Sequence, residues 1–161
     1  MSVTVRLRLN GREQTLEVQP EETLQSVLRW RRGLSSVRST CGIGICGTCT
    51  VLVNGEPISS CLMLAPLADG QEIETVEGLA ERDARDPVLE AFVAQNAFQC
   101  SYCTPGLVMA TKALLTAHPD PEESDIREYL AGNLCRCGSY YAIVAAVRDA
   151  ARRLQSESAR E

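Results

Sequence analysis

The sequence predicts an α+β protein in two successive parts, a sheet-building first half and an all-helical second half. Three observations carry that prediction. Apolar residues alternate with a period of two in the first half and recur at helical spacing after residue 86. Asn-Gly pairs punctuate the first half, whereas Asp-Pro and Thr-Pro pairs open segments of the second. Eight cysteines fall into two groups of four, one group in each half.

Val3, Val5, Leu7 and Leu9 alternate with polar residues and predict a half-buried strand. Asn10-Gly11 is a hairpin signal, and the return strand is expected at about Glu13–Val18. Pro20-Glu21-Glu22-Thr23 opens a short helix with Leu24, Val27 and Leu28 on its apolar face, closed by Arg29, Arg31 and Arg32 as a solvated basic end. Thr50–Val53 and Ile58–Leu62 form a second hairpin about Asn54-Gly55, the latter strand delivering Cys61, and Ile73–Val76 is a last short strand. Residues 1–76 therefore predict a mixed sheet crossed by one helix with a metal loop at one edge, the β-grasp pattern of a plant-type ferredoxin domain. Residues 77–86 are charged, lack periodicity and are expected to be a linker.

From 87 to 155 the pattern predicts a four-helix bundle. Asp86-Pro87 supplies an N-cap and a proline at the first helical position, followed by Val88, Leu89, Phe92 and Val93 on one face. Thr104-Pro105 starts a helix reaching about Ala117, Asp120-Pro121 starts a third that ends at Gly132-Asn133, and Ser139 caps a fourth with an apolar stripe from Ile143 to Leu154. Residues 156–161 are expected to be a flexible tail.

The first cysteine group reads Cys-Gly-Ile-Gly-Ile-Cys-Gly-Thr-Cys over 41–49, with Cys61 following after eleven intervening residues. C-x4-C-x2-C followed by a distant cysteine is the plant-type arrangement for a [2Fe–2S] cluster. Two irons need four thiolates, three of them from one loop, and Gly42, Gly44 and Gly47 let that loop curl in conformations a Cβ disfavours. Cys41, Cys46, Cys49 and Cys61 are the candidate thiolates. Zinc and disulfide readings fit the spacing less well, because zinc sites favour two close cysteine pairs. The second group, Cys100-Ser-Tyr-Cys103 and Cys135-Arg-Cys137, is separated by 31 residues, and each pair precedes a predicted helix start. Two helix N-termini aimed at one place favour an anion, which a thiolate-ligated cluster is. A thioredoxin-like redox role for Cys100 and Cys103 leaves Cys135 and Cys137 unexplained.

Composition narrows the function. A net charge of −5 with no basic stripe argues against a nucleic-acid partner. No apolar run approaches the ~20 residues of a membrane span, and the start of the chain shows no apolar signal segment, so reduced cysteines in the cytoplasm are expected. The single histidine, His118, excludes a Rieske-type centre, which needs two, and belongs at a helix end on the surface.

Four stretches together resemble the iron–sulfur subunits of the molybdenum hydroxylases, the group that includes xanthine dehydrogenase, aldehyde oxidoreductase and aerobic carbon monoxide dehydrogenase. They are Cys-Gly-Ile-Gly-Ile-Cys-Gly-Thr-Cys-Thr-Val (41–51), Thr-Val-Glu-Gly-Leu (75–79), Gln-Cys-Ser-Tyr-Cys-Thr-Pro-Gly (99–106) and Gly-Asn-Leu-Cys-Arg-Cys (132–137). The resemblance spans about residues 3–150. It implies that Cys100, Cys103, Cys135 and Cys137 hold the second [2Fe–2S] cluster, and that Gln99 and Cys137 contact the molybdopterin of a large partner subunit. It also implies that electrons leave through the plant-type cluster to FAD on a medium subunit or to a cytochrome-type acceptor. The chain itself carries no catalytic residue for substrate, and the implied assembly is a hetero-oligomer, up to a dimer of heterotrimers. Two positions depart from the family pattern. Gly138-Ser139-Tyr140 stands where many members have Thr-Gly-Tyr, which points toward an N-heterocyclic substrate, and Ser101 stands where Gly is common. The rival function is a free-standing two-cluster ferredoxin, and the rival location is the periplasm by co-export with a partner.

Overall fold

The computed structural model describes residues 1–159. A five-stranded mixed sheet occupies the first half and helices the second. Strands β1 (Val3–Leu9) and β2 (Arg12–Val18) pair antiparallel, Val3 opposite Val18 and Leu9 opposite Arg12, through a tight turn at Asn10-Gly11 with φ of 50° and 79°. Positive φ at both central residues matches the turn to the strand twist. Strands β3 (Thr50–Val53) and β4 (Glu56–Ser59) form the second hairpin in the same way. Strand β5 (Glu72–Glu74) slots between the hairpins, parallel to β1 and antiparallel to β3, giving the order β2-β1-β5-β3-β4.

Helix α1 (Leu24–Ser26) is capped by the Thr23 hydroxyl, which accepts from the Ser26 N–H at 3.2 Å, and widens into one π turn over Val27–Arg31. Its buried Leu24, Val27 and Leu28 join Val5, Leu7, Val18, Val51 and Ile73 in the sheet's core. The arginines closing it are tied down. Arg29 donates to the Ser35 and Val37 carbonyls, Arg31 to Glu22 at 2.9 Å and Arg32 to the Gln14 side chain. Arg29 thereby holds the loop that leads to Cys41.

The structure corrects several expected boundaries. Strand β4 ends at Ser59, so Cys61 lies in the turn beyond it. The last strand stops at Glu74, and the expected linker contains helix α2 (Val76–Arg82), leaving residues 83–86 as the irregular joint. Only Val76 and Leu79 face inward, too short a stripe to read as helical periodicity. Side-chain hydrogen bonds anchor the segment. The Thr75 N–H donates to Asn10 Oδ1 at 2.9 Å, and the Glu77 carboxylate accepts from the Ser36 N–H at 2.9 Å, the Ser36 hydroxyl and the Thr75 hydroxyl. Gly78 lies so close to Asn10 that a Cβ would stand 2.3 Å from Asn10 Oδ1.

Helix α3 (Pro87–Ala94) starts as the sequence indicates. Asp86 accepts from the Val88 and Leu89 N–H groups, and its other oxygen pairs with Lys112 at 2.8 Å. Helix α4 (Thr104–Ala117) runs through the centre, burying Leu107, Val108, Met109, Leu114 and Leu115. Helix α5 (Glu123–Tyr129) begins two residues later than Pro121, because Glu122 and Asp125 form a reciprocal capping box. Helix α6 (Tyr140–Ser158) extends past the point where a frayed tail was expected to begin, while residues 160 and 161 of that tail lie outside the described residues. All four residues of β3 are buried, and Leu52 joins the core of the helical half while Val51 and Val53 face the core of the sheet. The two halves therefore share a strand. Among the described residues no helix is long and apolar enough to cross a membrane.

Burial alone would raise the pKa of Glu77, but its hydrogen bonds from Ser36 and Thr75 hold it below the usual carboxylate range. A group with a depressed folded-state pKa stabilises above its unfolded value and loses that stabilisation as pH falls through the folded one. Replacing Glu77 with Ala should cost about 2 kcal/mol at pH 7 by stranding those donors. The stability gap between the native chain and Glu77→Gln, followed by thermal unfolding, should hold above the ordinary carboxylate value of 4.5 and narrow as pH falls below it.

Candidate metal centres

The loop from Cys41 to Cys49 connects the loop stapled by Arg29 to the buried strand β3. With Cys61 its three thiols stand two by two, Cys41 beside Cys46 and Cys61 beside Cys49. Backbone N–H groups of Ile43 and Cys46 point at the Cys41 sulfur and hold its thiol down at about 6. Burial, with the neighbouring Cys49, pushes Cys61 up to about 11. The Thr48 hydroxyl lies 3.3 Å from Cys46 Sγ and 2.9 Å from the Thr40 hydroxyl. Ile43, Ile45 and Leu62 form an exposed apolar rim around this loop.

The second group repeats the pairing. Cys100 contacts Cys137 and Cys103 contacts Cys135. Cys103 is the N-cap residue of α4 and Ser139 that of α6, so both helix starts meet at this group as the sequence suggests. The Tyr102 N–H, then Cys137, lower the Cys100 thiol, and burial raises Cys103 to about 12. Burial would raise Cys135 too, but the Ser139 N–H and hydroxyl and the Cys137 N–H outweigh it. Ser101 sits in the left-handed region with φ of 62°, which accounts for glycine being common there.

This arrangement suits a binuclear cluster. A zinc ion needs three or four ligands converging on one point. A binuclear cluster instead takes two ligands at each of two irons, and the two thiol pairs of each group would suit it. The Thr104 hydroxyl, beside Cys103, is buried with no hydrogen-bond partner among the described residues. A donor left free next to a sulfur-rich group is what a cluster would satisfy.

The two groups are joined by backbone contacts that the sequence did not reveal. The Leu134 N–H donates to the Cys46 carbonyl at 2.9 Å. Asn133 Nδ2 donates to the Gly47 carbonyl at 2.9 Å and lies 3.3 Å from the Thr50 hydroxyl. Gly106 of α4 packs so tightly there that a Cβ would stand 2.2 Å from the Gly47 oxygen. Beside this seam the Tyr102 hydroxyl donates to the Ser39 carbonyl at 2.9 Å, and the Arg38 guanidinium lies 5.2 Å from the Tyr102 ring centre. The available signal was the Gly-Asn preceding Leu-Cys-Arg-Cys, which reads locally as a helix end. Gln99 is exposed next to Cys100, and His118 is exposed at the end of α4.

Comparison with known proteins agrees with this geometry. Residues 7–80 match a 2Fe-2S iron-sulfur cluster binding domain, and residues 75–148 match a [2Fe-2S] binding domain. The chain is 44% identical to the nicotinate dehydrogenase small FeS subunit of Eubacterium barkeri, over 94% of this chain and 96% of that one. It is 45% identical to the xanthine dehydrogenase iron-sulfur-binding subunit of Escherichia coli O157:H7, over 92% of this chain and 94% of that one. In the crystal structure of quinoline 2-oxidoreductase from Pseudomonas putida 86, a chain 37% identical superimposes with a TM-score of 0.89, over 94% of this chain and 97% of that one. A mixed sheet and a helical half, each with a matching domain, define a carrier of two [2Fe–2S] clusters. The chain belongs to the iron–sulfur small subunits of the molybdenum hydroxylase family.

Two substitutions test the loops. Ser101→Gly should raise thermal stability by about 1 kcal/mol, the cost of left-handed backbone for a residue with a Cβ. Gly106→Ala should push the two loops apart, weakening the magnetic coupling between the reduced clusters in electron paramagnetic resonance spectra.

Proposed function

We propose that this chain is the electron relay of a molybdenum hydroxylase, in which Cys41, Cys46, Cys49 and Cys61 hold one cluster and Cys100, Cys103, Cys135 and Cys137 the other. The clusters, when bound, supply one-electron oxidation and reduction. The protein's own contribution is position and electrostatics. The observation that carries the reading is the 2.9 Å hydrogen bond from Leu134 N–H to the Cys46 carbonyl. Cys46 is a ligand in one group and Leu134 is bonded to Cys135, a ligand in the other. The link therefore joins the two ligand sets through covalent bonds and a single hydrogen bond. Main-chain N–H groups around Cys41 and Cys100 stabilise negative charge on sulfur, one of the levers on cluster potential.

In this reading the first 76 residues are a β-grasp plant-type ferredoxin domain and residues 87–155 a four-helix-bundle cluster domain, joined across residues 77–86. The exposed Gln99 and the half-exposed Cys137 contact the pterin of a molybdopterin-binding large subunit. The apolar rim of Ile43, Ile45 and Leu62 faces the acceptor, an FAD-binding medium subunit or a cytochrome-type protein. The assembly works in the cytoplasm, and its substrate is an N-heterocycle. Support for that substrate class comes from Gly138-Ser139-Tyr140 and from relatives named for nicotinate and quinoline.

Cys41→Ser and Cys103→Ser should each remove half the iron and sulfide and one of two paramagnetic signals, leaving the other signal intact. The native chain should co-purify with a molybdenum-containing large subunit. A colourless zinc protein would overturn the cluster assignment, and a monomer that reduces unrelated enzymes would restore the free-standing ferredoxin.

A further inference from the structure

Tyr140, the first residue of α6, uses its hydroxyl in an unusual way. The Cys135 main-chain N–H donates to it at 2.9 Å. Main-chain N–H groups in cysteine loops ordinarily face the sulfurs they surround, and this one is turned onto a phenol. A phenol has one proton, so accepting from Cys135 leaves that proton to be donated elsewhere. The Tyr140 side chain also lines a cavity of about 500 Å³ together with Cys46, Cys100, Cys103 and Cys135. Cys46 of the first cysteine group and Cys100, Cys103 and Cys135 of the second share that cavity with Thr40, Thr48 and Tyr102. Tyr140 is neither a ligand nor buried in the helical core, so packing alone does not explain the placement. Next to it, the Ser139 N–H and hydroxyl face the Cys135 sulfur.

We propose that the Tyr140 hydroxyl relays the Cys135 N–H onto a sulfur of the helical-half cluster, donating its own proton there and raising that cluster's reduction potential. This rests on the two-cluster reading above. Reduction adds negative charge to the cluster, so a donor to sulfur stabilises the reduced form more than the oxidised one. A donor that is itself accepting from an amide is polarised and donates more strongly. Tyr140 is thus a positioning and tuning residue that makes no contact with substrate. It biases the order in which the two clusters take up an electron, favouring the helical one.

The test is a potentiometric titration of the loaded full-length chain, followed by electron paramagnetic resonance, for the native protein and Tyr140→Phe. Iron and sulfide content and both signals are checked first, and their absence from the native chain would overturn the two-cluster reading itself. With both clusters present, Tyr140→Phe should shift the midpoint of the helical cluster to more negative potential and leave the plant-type cluster where it was. An unchanged midpoint, or equal shifts in both clusters, would overturn the proposal. If Tyr140→Phe fails to load, the chain carrying 3-fluorotyrosine at position 140 alone decides. The more acidic phenol should move only the helical cluster, to more positive potential, and no shift would overturn the proposal.

Discussion

The close approach of two backbones at Gly47 and Gly106 is the constraint on which the rest of the molecule depends. Gly47 ends the curl of the first cysteine loop and Gly106 lies in the first turn of α4, directly behind Cys103. With no side chain on either, the loop carbonyl rests against the helix. Asn133 then satisfies that carbonyl from one side, and Leu134 satisfies its neighbour on Cys46. The Gly47 carbonyl also accepts from the Thr50 N–H at 3.2 Å and the Thr50 hydroxyl at 2.7 Å, and within this network the Asn133 and Leu134 bonds set the register between the halves. The register in turn fixes the spacing between the two cysteine groups, which governs electron transfer between them.

The surrounding structure maintains that register. Strand β3 is buried on both faces, and Leu52 belongs to the helical core while its neighbours belong to the sheet. Thr75 and Glu77 tie the start of α2 to the β1–β2 turn and to the loop before Cys41. Asp86 caps α3 and pairs with Lys112 on α4. Short polar side chains therefore make several of the joints that brace the seam, alongside its backbone hydrogen bonds. Domains of this size are marginal by themselves, and a shared strand with several such joints makes the two halves one packed body.

Electrostatics within each cysteine group follow one plan. The outer thiols, Cys41 and Cys100, are turned toward main-chain N–H groups and favour the thiolate, while the inner ones, Cys61 and Cys103, are buried and resist it. Gathering four thiolates in so small a space is unfavourable without positive charge, which iron supplies. Ser139 brings an N–H and a hydroxyl to Cys135 in the second group, and Thr48 brings a hydroxyl to Cys46 in the first. The two clusters then differ in environment although their ligands are chemically the same.

Much of this was legible in the residues alone. Alternation in Val3–Leu9, the Asn-Gly turns and the Asp86-Pro87 start are local signals, and each matched its element, because turn and cap preferences act over a few residues. Cysteine spacing likewise announced two clusters, since a tight loop must supply three ligands for one of them. Helix α2 escaped notice because it is held by Asn10 and Ser36, which are distant in sequence. Asn133, Gly106 and Tyr140 carried no local mark of their roles either. What the sequence by itself determined is the chemistry: eight thiols, in two sets, one in each half. What only the tertiary structure decided is how the sets face each other. That depends on backbone carbonyls and N–H groups, which every residue has, so nothing in a string of side chains reports which of them will meet.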